Sequence, residues 1–147
     1  MKYSHEITID LPREKVLEIF DKKENLFKWQ KGLQSFDHVS GTEGEEGAVS
    51  KMVFKNGKRV LEMEEKIIKK NFPDHYYFEF TAKGLTNWND NSFLEASPTQ
   101  TKWTQSNVFK GKGMVKVMMV LMPGMFKKQS FKYMQDFKTF AESEANK

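Results

Sequence analysis

The segment ITIDLPREKVLEIFDKKENLFKW, Ile7 to Trp29, decides how the rest of the chain is read. It opens inside an alternating run, Lys2 to Asp10, with Tyr3, Ile7 and Ile9 on one side and Ser4, Glu6 and Thr8 on the other. A two-residue period of this kind predicts a half-buried strand. Pro12 ends it, because proline has no N–H for a ladder and its fixed φ suits the first turn of a helix. From Pro12 to Phe20 the residues Val16, Ile19 and Phe20 fall on one helical face. Asp21 followed by Glu24 has the spacing of a capping box for a second short helix, carrying Leu26, Phe27 and Trp29. One strand and two short helices are therefore expected at the start.

Beyond Gly32 the pattern turns to strands. Leu33 to Ser40, Ala48 to Phe54, Lys58 to Lys69, His75 to Ala82, Leu85 to Ala96 and Thr101 to Phe109 complete an expected set of seven. Turn signals separate them: the glycines of Gly41 to Gly47, Asn56-Gly57, Asn71 to Asp74, and Ser97-Pro98-Thr99. Connections this short imply antiparallel pairing. From Met114 to about Glu142 the period becomes helical, with Met122, Phe126, Tyr133, Phe137 and Phe140 near one stripe. Pro123-Gly124 should kink or split this helix, since proline removes a backbone donor and pushes Met122 out of helical geometry. Unbroken, it would run about 40 Å, long enough to cover the sheet.

Composition narrows the function classes. At 147 residues the chain is expected to be one domain with a sizeable core. Without cysteine it has neither disulfides nor thiolate metal sites, which favours a reducing, cytoplasmic setting. Met1 to Asp10 lacks the apolar core of a signal peptide. The longest apolar stretch, Met114 to Phe126, holds Lys116 and Pro123 and is too short to span a bilayer. The net charge of +4 mixes 24 basic with 20 acidic residues, which argues against a nucleic-acid partner. Thirteen Phe, four Tyr, three Trp and nine Met supply unusual apolar bulk, either a filled core or a core lined for an apolar guest.

The order strand, two short helices, six strands, long helix resembles the START/Bet v 1-like (SRPBCC) superfamily over essentially the whole chain. Ile7 to Trp29 is similar to that family's strand, Pro, Val, Phe and Trp opening. Gly41, Gly44 and Gly47 sit where the family turns into its third strand. EKIIKKNFPDHYYFEF resembles its fourth hairpin, ASPTQTKWTQS its Thr-initiated last strand, and FKYMQDFKTFAE its closing helix. The nearest group is that of polyketide-cyclase-like and lipid-transport-like bacterial members. The resemblance implies an α+β helix-grip fold: a curved seven-stranded antiparallel sheet, two short helices, and a long C-terminal helix enclosing a cavity. It implies a hydrophobic or amphipathic small-molecule ligand such as a lipid, quinone or polyketide. Members include carriers, enzymes and co-chaperones, so fold alone does not choose among a binder, a cyclase-type enzyme and a protein-binding module.

On the last strand Thr101, Trp103, Gln105, Asn107 and Phe109 alternate with Lys102, Thr104, Ser106 and Val108. In the resembling family the Thr-led face points inward, which would bury Gln105 and Asn107 beside Trp103. Buried amides need partners, supplied by a wet cavity, a polar head group or neighbouring side chains. On the preceding strand, if Leu94 faces in, Trp88 and Asp90 do too. Asp90 and Glu65, which shares a face with Leu61, Met63 and Ile67, are then the acid/base candidates, because burial raises a carboxyl pKa. Phe78, Phe80, Trp88, Trp103, Gln105, Asn107, Met118, Met122 and Phe126 form the expected ligand-binding set. The run Met114, Met118, Met119, Met122 and Met125 reads either as a cavity mouth or as a buried helix face. Lys112, Lys116, Lys127 and Lys128 beside it suit solvent or an anionic membrane surface.

His5, His38 and His75 fall on different elements, so no metal is expected, and no cofactor either. The glycine-rich turn matches no phosphate-binding pattern and carries Glu43, Glu45 and Glu46, which leaves it a hairpin. As a cavity-wall residue, Trp103 should cost less on truncation to alanine than a tryptophan in a solid core.

Overall fold

The computed structural model describes residues 1–147. The seven strands are β1 (Lys2–Ile9), β2 (Leu33–Ser40), β3 (Val49–Asn56), β4 (Arg59–Asn71), β5 (His75–Ala82), β6 (Leu85–Ser97) and β7 (Gln100–Gly111). They form one antiparallel sheet in the order β1-β7-β6-β5-β4-β3-β2. The first two strands in sequence are thus the two edges. Helices α1 (Arg13–Asp21) and α2 (Lys23–Trp29) carry the chain between those edges. That is why the chain needs two helices at a place where every later connection is a hairpin.

Pro12 is the N-cap of α1, with φ of −58°, as its position in the sequence requires. The capping box at Asp21 is not made: α2 begins at Lys23 and has no side-chain cap. Asp21 instead accepts from Lys70 Nζ at 3.1 Å. Asp21 is the last residue of α1, and Lys22 takes the N-cap position of α2.

The C-terminal stretch is split rather than kinked, into α3 (Met114–Leu121) and α4 (Pro123–Ala145). Met122 sits between them at φ −134°, ψ 56°, outside helical geometry. The residue before a proline is driven there by the ring, and Pro123 then opens a new helix at its first turn. Met122 consequently leaves the apolar stripe and is 53% exposed, against expectation. The buried stripe of α4 is Met134, Phe137 and Ala141.

Helix α4 is stitched along edge strand β1. Tyr3 Oη donates to the Phe126 carbonyl at 3.0 Å, His5 Nε2 donates to Lys127 O at 3.0 Å, and Lys138 Nζ donates to Thr8 O at 2.7 Å. The C-terminal half of α4 closes a solid core with Ile9, Val16, Ile19, Trp29, Phe93 and Trp103. Its N-terminal half stands off the sheet, and the space beneath it is not filled by side chains.

Candidate functional site

That space is a cavity of about 350 Å³ between the concave sheet face, α2 and the first turns of α4. It falls in the range of small-molecule sites, about 300–1,000 Å³. Cross-strand partners share a face, so the register specifies the floor row by row. Glu65 on β4 lies opposite Phe80 on β5, which lies opposite Asn87 on β6 and then Phe109 on β7. In the next row stand Ile67, Phe78, Asn89 and Asn107. Tyr76, Asn91 and Gln105 follow, and then Phe93 and Trp103. The floor is therefore an aromatic stripe on β5 with an acid on one flank and amides on the other.

Along the stripe, Tyr76 stacks on Phe78 at 4.3 Å and Phe78 on Phe80 at 5.4 Å. The three are alternate residues of one strand, and the sequence HYYFEFTA places an aromatic at three successive inward positions.

The amides form a closed ring. Asn91 donates to Asn89 at 2.7 Å, Asn89 to Asn107 at 2.8 Å, Asn107 to Gln105 at 3.0 Å, and Gln105 back to Asn91 at 3.0 Å. Its direction is fixed at Asn91. The Trp103 indole N–H can only donate, and it lies 2.9 Å from Asn91 Oδ1; the Tyr76 carbonyl can only accept, and it lies 3.1 Å from Asn91 Nδ2. Asn91 so oriented dictates the other three in turn. Asn87 joins from outside, donating to Asn107 Oδ1 at 3.1 Å. Each ring amide spends one N–H on the ring, and Asn91 spends its second on Tyr76. The second N–H of Asn89, of Gln105 and of Asn107 remains; all three line the cavity, and Asn89 and Gln105 keep a little accessible surface.

Glu65 is buried, with 9% of its surface accessible. Burial pushes its carboxyl up to about 8, and no cation or hydrogen-bond donor of the protein offsets it. At neutral pH the group holds its proton and is itself a donor. Adjacent strands are about 4.8 Å apart, so Glu65 and the β6 amides flank the aromatic stripe at about 10 Å.

Of the residues singled out from sequence, Phe78, Phe80, Trp103, Gln105, Asn107, Phe126 and Glu65 line this cavity. Trp88, Asp90, Met118 and Met122 do not. Trp88 and Asp90 stand on the outer face, where the indole donates to Glu79 at 2.9 Å and Asp90 Oδ2 lies 2.9 Å from His75 Nδ1. The cause is a bulge. Ser97 pairs with Gln100, but beyond the bulge Glu95 pairs with Thr101, leaving Ala96 as an extra residue. A hairpin without it would set Leu94 opposite Trp103; with it Phe93 takes that place, and Leu94 is 59% exposed. One inserted residue inverts both faces of a strand. The inversion brings in Asn87, Asn89 and Asn91, which the sequence reading had placed outside. Met118 is only half-buried on α3, and Met122 is displaced by Pro123, so neither reaches the cavity.

Trp103 is more than wall. It is 1% exposed, stacks on Phe93 at 5.9 Å, and meets Phe20 and Phe137 edge-on at 5.4 and 5.3 Å. The expectation of a cheap truncation does not fit a ring held on three sides.

Neither a protein-family model nor a curated protein sequence matches the chain. Solved structures do. Ara h 8.0201 superposes with a TM-score of 0.74 at 18% identity, covering 97% of this chain and 98% of that one. A conserved protein from Geobacillus kaustophilus gives 0.81 at 13% identity over 97% and 96%. The Zhui aromatase/cyclase from Streptomyces sp. R1128 gives 0.77 at 10% identity over 99% and 95%. At such identities the likeness shows the fold alone, the α+β helix-grip fold.

Proposed function

We propose that the protein binds a largely apolar, carbonyl-bearing small molecule, quinone- or polyketide-like, in the cavity under α4. The observation that carries this reading is the arrangement of the floor. A flat apolar stripe, Tyr76, Phe78 and Phe80, runs between two sets of hydrogen-bond donors, the protonated Glu65 carboxyl on one flank and the spare N–H groups of Asn89 and Gln105 on the other. Donors on both flanks select a ligand with acceptors at both ends. An unmet buried donor costs about 1–3 kcal/mol, so a hydrocarbon of the same shape leaves these groups unpaired and binds less well.

The test compares 2-methyl-1,4-naphthoquinone with 2-methylnaphthalene by equilibrium dialysis at pH 6. The quinone is expected to bind about tenfold more tightly, the worth of roughly one net hydrogen bond. Its advantage should shrink above pH 8, where Glu65 ionises, and in Glu65→Leu. Equal affinities for the two compounds, or a quinone preference unchanged in Glu65→Leu, would remove the reading.

A second reading is supported by the same carboxyl. A group that titrates near 8 is poised for general acid–base work near neutrality. A cyclase-type enzyme would use Glu65 to protonate or deprotonate a bound polyketone. It predicts that a poly-β-ketone is converted by the protein, and that Glu65→Gln binds it without converting it. Absence of conversion by the unaltered protein sinks this reading and leaves the first standing.

A further inference from the structure

We propose that α3 and the turn into α4 form a docking surface for an anionic lipid membrane. Helix α3 has no buried residue. One side rests on the end of the sheet through Val115 and Met119, against Gly84 and Gly111; a methyl group at Gly111 would meet the Met119 sulfur at 2.7 Å. The other side has nothing on it. Met114, Val117, Val120, Leu121, Met122 and Met125 lie open there, with Val120 and Leu121 each 74% exposed. A contiguous apolar patch of this kind marks a surface that is covered in use.

Charge identifies the occupant. Between Ala96 and Gln135 there are seven lysines and no acidic residue, so this stretch carries +7 and the rest of the chain −3. Its ion pairs are made by Lys102 and Lys132, leaving Lys112, Lys116, Lys127 and Lys128 unpaired around the apolar face. Apolar side chains rimmed by free lysines match the boundary between acyl chains and anionic head groups. A second copy of the chain fits poorly, because a twofold contact through this patch would set lysines against lysines. No helix is long and apolar enough to cross a membrane, so the contact is with the surface. The patch also adjoins the cavity: Phe126, in the first turn of α4 just after Met125, is part of the cavity wall. Docking would place that end of the cavity at the lipid boundary.

The experiment is co-sedimentation with vesicles of phosphatidylcholine alone or mixed with phosphatidylglycerol, with no cavity ligand present. Binding to the mixed vesicles at low salt, and little to pure phosphatidylcholine, is expected. Leu121→Ser should weaken it about tenfold, from the loss of one buried apolar side chain. Lys116→Glu and Lys127→Glu should each weaken it at least about fivefold, on mixed vesicles only. Val60→Ser, at an exposed position on β4, should bind as the parent does. All these positions are exposed, so the variants fold, and unchanged melting temperatures verify it. Equal sedimentation of parent and Leu121→Ser overturns the proposal. So does sedimentation-velocity evidence of a dimer that Leu121→Ser dissolves. Either failure leaves the cavity reading untouched, because no ligand enters the measurement.

Discussion

Replacing Glu65 by Gln is expected to make the protein more stable than its parent above pH 8, and to abolish a decline in stability that the parent shows from about pH 4.5 upward. An unfolded glutamate titrates at about 4.5, and in the folded protein burial raises that to about 8. Between these values the native state holds a proton that the unfolded state has released. Stability then falls as pH rises, by about 1.4 kcal/mol per pH unit, and levels off once the folded carboxyl has ionised too. The full window is worth on the order of 5 kcal/mol at most. Glutamine is neutral throughout and removes the slope. It leaves a buried amide short of partners, which costs about 1–3 kcal/mol, so below about pH 5 it should match or fall below the parent. The two curves therefore cross. Urea unfolding of both proteins from pH 5 to 9 checks this, and their difference removes the contribution of every other titrating group. A flat difference would mean that Glu65 is solvated in the folded state, and the donor assigned to that flank of the cavity would be lost with it.

A carboxyl that costs stability at ordinary pH is not there for the fold. Met would pack the same position on β4 with no titrating group to bury. The same holds for the amide ring. Four apolar residues would fill the inner faces of β6 and β7 with fewer conditions to satisfy, since a polar network must be complete to be tolerated. Here it is complete toward the protein and open toward the cavity. Those two departures from an apolar interior flank one stripe of rings, and that coincidence is what supports the proposed reading of the cavity as a recognition site.

The fold was legible because its signals are local. Alternation in β1, the proline that ends it, the glycine turns and the helical period after Met114 each act over a few residues. All seven strands lie where their patterns put them. The inward direction of Trp103, Gln105 and Asn107 was legible only through the family resemblance, and Glu65 through its alternation with Met63 and Ile67. What failed was register. Nothing in ASPTQT announces that Ala96 is bulged out, because a bulge is settled by which face packs better. Phe93 against Trp103, Phe20 and Phe72 outweighs Leu94 in the same place. A single test was available in the sequence. If Gln105 and Asn107 face inward they need partners, and Asn87, Asn89 and Asn91 offer amides at the same two-residue spacing, whereas Trp88 and Asp90 do not. Satisfying buried amides was the stronger constraint, and it points to the face the protein uses. The methionines failed for a different reason: a helical stripe was carried across Pro123, where the chain restarts in a new direction.

Trp103→Ala should destabilise the protein by at least the full core penalty, about 3–5 kcal/mol. A ring in a cavity wall loses less, because part of its surface has no neighbours. Trp103 lines the cavity but is 1% exposed, with Phe20, Phe93 and Phe137 packed against it. Those three rings come from α1, β6 and α4, so the indole is where sheet, helix pair and closing helix meet. Removing it opens a void at that junction, and the edge-to-face and stacked contacts go with it, each worth about 0.5–1.5 kcal/mol beyond area. Its N–H also leaves Asn91, whose orientation is then held by the Tyr76 carbonyl alone. Trp103→Phe separates the two effects. It keeps most of the packing and loses the N–H, so it should cost about 1–2 kcal/mol in urea unfolding while weakening quinone binding more than hydrocarbon binding, because the ring amides are then pinned at one point, the Tyr76 carbonyl, instead of two. Should Trp103→Ala cost less than 3 kcal/mol, α4 must be able to settle into the gap, and the junction is softer than its geometry. Should Trp103→Phe weaken both ligands equally, the indole acts by shape and the orientation of the amides does not depend on it.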